Sequence, residues 1–341
     1  MAARSRLVFW LTPAALWLWL FFHLHDEWSL NPQYFYGWAV PFLAAFFFYL
    51  RWLDRPAPNP PKNDSPAKFA LALLLFFLLP LRLIEEANPD WRVVSWSLGL
   101  VAGGYSLVTL ARAVGFCFFF NFAFPIFFVL VAVPWPVQLE NLVVQGLTRA
   151  VAFAAVEIAS WLGIGALQIG NIIELPTGFV GVSEACSGVK TLQAAIMVAL
   201  ALGELFSLGA ARRFVLLLVG CAWVFFCNVL RASILVVIAA KKGTDALDHW
   251  HDLIGTLVLV VGMGGLLAFA WILRRKGSET RRSDPGPGAM PSTFLPLVSF
   301  GWLLFVFAAT EFWYRSHEKY LVQLPAWETR WPNESKKQPI P

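Results

Sequence analysis

Three short polar stretches interrupt an otherwise apolar sequence, and each carries groups able to do chemistry. The first is Glu184-Ala185-Cys186-Ser187-Gly188-Val189-Lys190-Thr191. It opens an apolar run, so Cys186 is expected at a helix N-terminus. The positive end of the helix dipole stabilises a thiolate there, and Lys190 adds a cation one turn on. The competing reading makes Ser187 and Gly188 plain cap residues. The second stretch is Asn228-Val229-Leu230-Arg231 inside a long apolar run. Asn228 and Arg231 are three apart and share a helix face. An ionisable group at such a place needs a partner or a function. A carboxylate such as Glu184, a thiolate, a carbonyl or a bound ligand would each serve Arg231. The third is His249-Trp250-His251-Asp252-Leu253-Ile254-Gly255 at the mouth of the next run. His251 and Gly255 fall one turn apart, and Gly255 lets another helix come close. Two histidines two apart are also a metal-ligand pattern, but no third ligand stands at a natural spacing, and no metal or cofactor is expected.

The elements that carry these residues are set by hydrophobicity. Of 341 residues, 58% are hydrophobic and 14% charged, with a mean hydropathy of +0.64. A soluble domain has roughly a quarter of its residues charged and could not hide this much apolar surface. Nine runs have about the length of a membrane helix: 7–24, 36–53, 69–84, 93–112, 114–134, 188–206, 214–240, 252–273 and 293–310. Cys117, Cys221 and Cys227 lie inside such runs and read as small buried hydrophobes. Arg4 and Arg6 precede the first run, which lacks a small-x-small cleavage site and is expected to stay as an anchor.

Basic residues orient the runs. Arg51, Arg55, Lys62 and Lys68 fall in one connection, Arg112 in another, Arg212 and Arg213 in a third, and Arg274–Arg282 in the last. Intervening connections are acidic or mixed, as at Asp26-Glu27 and Glu85-Glu86. By the positive-inside rule the N-terminus is cytoplasmic. Lys241 and Lys242 are the exception, a basic pair on the outer side. The net charge of +5 follows from this topology and needs no nucleic acid.

Residues 138–163 are helical in pattern but carry Glu140, Arg149 and Glu157. A helix lying in the membrane interface is expected, a crossing helix being the alternative. Residues 167–183 contain Gly170-Asn171 and Pro176-Thr177-Gly178 as turn signals, and are expected as short strands on the outer face. No internal repeat is visible. The fold class is thus an all-α polytopic bundle with an interfacial helix and a short extended loop before Cys186.

The same count places Cys186, Arg231 and His251 at the outer side, on three different helices. Such a set supports a mechanism in which His251 is base then acid, Cys186 attacks a carbonyl, and Arg231 stabilises the oxyanion.

The ordered set resembles the exosortase/archaeosortase family: Glu184-Ala185-Cys186-Ser187-Gly188 with a basic residue at 190, then Asn228-x-x-Arg231, then His251-Asp252-x-x-Gly255. Pro134-Trp135-Pro136, Leu162-Gly163-Ile164 and Gly170-Asn171 are also similar. The resemblance covers about 110–280. Lys190 stands where the family pattern suggests Arg.

The resemblance implies a cysteine transpeptidase or protease of the bacterial inner membrane. It would act on membrane-anchored proteins bearing a C-terminal sorting signal: a Pro-Glu-Pro-like motif, one helix and a basic cluster. Cys186, Arg231 and His251 match the family's catalytic residues. Glu184, Ser187, Gly188, Asn228, Asp252 and Gly255 would support them. The chain then divides into N-terminal helices (1–110), a catalytic membrane core (111–280), and a last helix with an outer tail (281–341). Two rival readings are a transporter with Arg231 and Glu184 in its path, and a non-catalytic component of polysaccharide export.

Overall fold

The structure is a computed structural model describing residues 2–55, 59, 61–181, 188–244, 246–274 and 294–321. Among these residues ten α-helices follow in order: α1 (Ala2–Leu30), α2 (Val40–Leu53), α3 (Ser65–Ala87), α4 (Arg92–Val114), α5 (Cys117–Phe128), α6 (Val137–Trp161), α7 (Val189–Leu205), α8 (Ala210–Lys242), α9 (Ala246–Leu273) and α10 (Phe294–Leu321). Between α6 and α7 the described residues form three short strands, β1 (Leu167–Ile169), β2 (Ile172–Leu175) and β3 (Gly178–Gly181). The chain is an all-α polytopic bundle with one small sheet.

All nine apolar runs are helical, yet they do not give nine full-length spans. Among the described residues seven helices are long and apolar enough to cross a membrane: α1, α3, α4, α6, α8, α9 and α10. At 1.5 Å per residue, the 14 residues of α2 reach about 21 Å. That is short of the ~30 Å hydrocarbon layer. Pro125 lies within α5, which passes into a 3-10 turn at Val129–Ala132. The 17 residues of α7 reach about 25 Å.

The helices share two ends. At one, Arg51 Nε donates to Glu204 Oε1 (2.6 Å) and Arg213 Nη2 lies 2.8 Å from Glu204 Oε2. Arg212 Nη1 donates to the Leu273 carbonyl (3.2 Å). Asp64 accepts from Arg112 (2.9 Å) and pairs with Lys68 (2.8 Å), which holds its carboxyl below the usual range. This basic end gathers the ends of α2, α4, α7 and α9 and the starts of α3 and α8.

The opposite end is tied by a different network. Trp28 Nε1 donates to the Ala132 carbonyl (2.8 Å), and Tyr36 Oη to the Val131 carbonyl (3.1 Å). The buried Glu140 accepts from Tyr34 Oη (3.2 Å) and from Arg92. Gln193 Nε2 donates to Tyr34 Oη (3.3 Å). The same end holds His23, whose Nδ1 lies 2.9 Å from Glu85 Oε1 and whose Nε2 lies 2.9 Å from Ser95 Oγ.

These contacts fix the path of α6. The chain leaves α5 and enters α7 at the same end of the bundle, so α6 and the sheet together make an excursion from that end. Although α6 has the length and apolarity to cross, it climbs along α8. Leu147 lies with Val224 and Asn228, and Val151, Ala155 and Ala159 share a core with Val229, Val236 and Ala239. The charged residues that suggested an interfacial helix divide: Glu140 is buried in the Arg92 pair, while Arg149 and Glu157 are exposed.

With 33 residues, α8 is about 50 Å long, some 20 Å more than the hydrocarbon layer. Its excess length supports the second half of α6 and the sheet. The sheet is an antiparallel meander in the order β1-β2-β3. Ile173, Leu175 and Val180 turn inward to that core. Thr177 Oγ1 donates to the Ala239 carbonyl (3.1 Å), anchoring the β2–β3 turn on the end of α8.

Candidate active site

Two of the three polar stretches meet across the antiparallel pair α8 and α9. Small residues let these helices approach: a Cβ on Gly220 would lie 2.4 Å from Leu266 Cδ1, and one on Gly265 2.1 Å from Trp223 Nε1. A third close approach, at Gly255, leaves room for the Arg231 side chain. A Cβ there would stand 3.1 Å from Arg231 Nη2.

Arg231 Nη2 lies 3.0 Å from His251 Nε2, and His251 Nδ1 lies 3.1 Å from Asp252 Oδ1. A guanidinium has only donors. In this contact Nε2 is therefore the acceptor, which leaves Nδ1 to face Asp252 as donor. His251 is partly exposed and the Asp252 side chain almost fully so (96%). Arg231 Nε is buried and has no hydrogen-bond acceptor among the described residues.

The depth of this pair is set by α8. Arg231 lies 19 residues beyond Arg212, about 28 Å along the helix axis. It stands near the level where a hydrocarbon layer measured from the basic end would finish, with three more turns of α8 beyond it. Arg231 lies about 16 Å below the end of α8, and the excess length of that helix moves the group away from the layer's centre.

The first polar stretch is described only from Gly188 on. Gly188 has φ +82°, a left-handed conformation that favours glycine, and precedes α7. A Cβ on it would lie 2.7 Å from Asn228 Nδ2. Asn228 is buried, one turn from Arg231. The start of α7 is thus held against the α8 face that carries Arg231. Lys190 Nζ lies over the Phe35 ring, 5.8 Å from its centroid. Cys186, Glu184 and Ser187 lie outside the described residues.

Of the expected set, Gly188, Asn228, Arg231, His251, Asp252 and Gly255 come together at one end of the bundle. Sequence reasoning did not single out Tyr34 and Arg92, whose side chains meet Glu140, nor Gln193, which bonds Tyr34 and so ties the start of α7 to them. Their one sequence signal was polarity at the ends of apolar runs. Pairing over 106 residues, as between Tyr34 and Glu140, left no trace in local spacing.

A family model described as transmembrane exosortase matches residues 28–269, more than half of the chain. The match reaches further toward the N-terminus than the motifs near Cys186 do. It takes in Tyr34, in the connection after α1, and Arg92, at the start of α4, which hold α6 and α7. No curated protein and no solved structure matches significantly.

Proposed function

As the chain belongs to the transmembrane exosortase family, we propose that it is a cysteine transpeptidase cleaving C-terminal sorting signals on the outer side of the bacterial inner membrane. Its substrates are membrane-anchored proteins with a Pro-Glu-Pro-like motif, a helix and a basic tail. The observation that carries this reading is the 3.0 Å approach of Arg231 Nη2 to His251 Nε2, two motif residues from different helices. The basic end supports the orientation, since positive charge gathers on the cytoplasmic side.

Cys186 is the nucleophile. Two peptide bonds separate it from Gly188 in sequence, and Gly188 packs beside Asn228. His251 takes the thiol proton on Nε2 once Arg231 turns to the substrate. The thiolate attacks the peptide carbonyl carbon, and Arg231 receives the oxyanion through its N–H donors. His251 then gives the proton to the leaving amine as the C–N bond breaks. A thioester on Cys186 remains until an acceptor nucleophile displaces the thiol. Asp252 keeps the Nδ1–H tautomer, so that Nε2 faces the reaction.

Processing of a membrane-anchored reporter with such a signal tests the reading. Wild type shortens the reporter, while Cys186→Ala, Arg231→Ala and His251→Ala leave it full length at equal enzyme levels. Shortening by Cys186→Ala would reject the assignment. Labelling of Lys241→Cys, but not Ala210→Cys, by a membrane-impermeant thiol reagent applied from the periplasm tests the orientation.

A further inference from the structure

The pair Lys241-Lys242, out of place in the charge pattern, stands beside an open sheet edge. β3 is the last strand of the meander. Among the described residues, Gly178–Gly181 makes no backbone hydrogen bond beyond its pairing with β2. A strand edge with unpaired N–H and C=O groups is a template for another extended chain. Val180 is buried and holds the strand to the core, while Phe179 is 65% exposed. The edge is therefore rigidly backed and has an apolar side chain to offer.

The start of β3 sits on the end of α8. Thr177 Oγ1 bonds the Ala239 carbonyl, and a Cβ on Gly178 would lie 3.2 Å from Thr244 Cγ2. Lys241 and Lys242 occupy the chain between those two contacts, and both are exposed. Lys242 Nζ lies over the Trp250 ring, 5.3 Å from its centroid, one residue before His251. Two cations thus flank one end of the edge, and the other end runs in sequence toward residue 186.

We propose that the free edge of β3, with Lys241 and Lys242, is the docking site for an extended acidic peptide, which adds as a fourth strand. The proposal rests on the transpeptidase reading and deepens it by saying how substrate is held. Backbone pairing supplies the grip, and the lysines select for a carboxylate side chain. Along a strand, successive N–H groups point to opposite sides. Prolines at alternate positions then face away from β3 and lose no bond, while the residue between them pairs.

The test uses full-length enzyme in membranes and synthetic signal peptides with the acidic residue present. In the double variant Lys241→Glu, Lys242→Glu, KM is expected to rise roughly fivefold or more with kcat unchanged. A peptide with lysine in place of its glutamate reverses that preference. Backbone N-methylation of the peptide weakens binding at one parity of positions and is tolerated at the other. Unchanged KM in the charge-reversed variant, an equal loss for acidic and neutral peptides, or equal effects of N-methylation at both parities would overturn the proposal. Loss of binding to anionic vesicles with unaltered peptide selectivity would make the lysines a lipid contact and overturn it too. Wild-type enzyme that processes no peptide defeats the transpeptidase reading instead.

Discussion

Gly255 faces the Arg231 guanidinium so closely that a Cβ on it would stand 3.1 Å from Nη2. The missing side chain is the space in which Arg231 reaches His251. Gly255→Val is therefore expected to push Arg231 off His251 and lower processing about tenfold or more. Gly264→Ala is the control, since a Cβ at Gly264 meets nothing within 4 Å. It should leave both level and rate unchanged.

Arg231→Lys tests the chemistry of the same contact. An ammonium carries a charge but lacks the planar fork of donors. Loss of a charged hydrogen bond costs about 1.5–3 kcal/mol. A drop in rate of roughly tenfold or more, at normal enzyme level, is expected in a reporter assay. A wild-type rate would remove Arg231 from the reaction.

The start of α7 gives a test from the opposite side. Gly188→Ala places a β-carbon in a left-handed residue, costing about 1–2 kcal/mol, and drives it within 2.7 Å of Asn228 Nδ2. Processing should fall. Gly188→Ala with Asn228→Ala should recover part of it, because the clash is relieved and the backbone strain is not. Full activity in Gly188→Ala alone would show that the contact with α8 does not matter.

The spacing of residues made much of this legible. Each apolar run became a helix, and the turn signals Gly170-Asn171 and Pro176-Thr177-Gly178 fall at the two turns of the meander. Alternating basic connections placed Arg231 and His251 at one end before any contact between them was known. Length was less readable. Apolar residues mark what can face lipid, but α2 and α5 stop short, at Asp54 and at the 3-10 turn after Pro125. The partner of Arg231 was equally hidden. A carboxylate such as Glu184 was one candidate, and the described residues supply His251. Hydropathy treats Glu140 and Arg92 as separate costs, whereas packing joins them into one buried pair.

At the basic end, Glu204 is the carboxylate between Arg51 and Arg213, which are partly exposed. Glu204→Ala leaves two arginines without it. Breaking a buried pair costs about 3–5 kcal/mol, and the exposure of the arginines reduces this to about 1–3 kcal/mol. The variant should unfold at lower temperature in detergent, yet process substrate normally per folded molecule. Unchanged thermal stability would show that the pairs contribute nothing net.

The proposed reaction passes through a covalent intermediate on Cys186, resolved by an acceptor. Enzyme in membranes is given substrate with acceptor withheld, quenched, and digested for mass spectrometry. Substrate acyl mass is expected on the Cys186 peptide, released by hydroxylamine and absent from His251→Ala. Shortened substrate from wild type with no adduct on Cys186, or the same processing by Cys186→Ala, would contradict it.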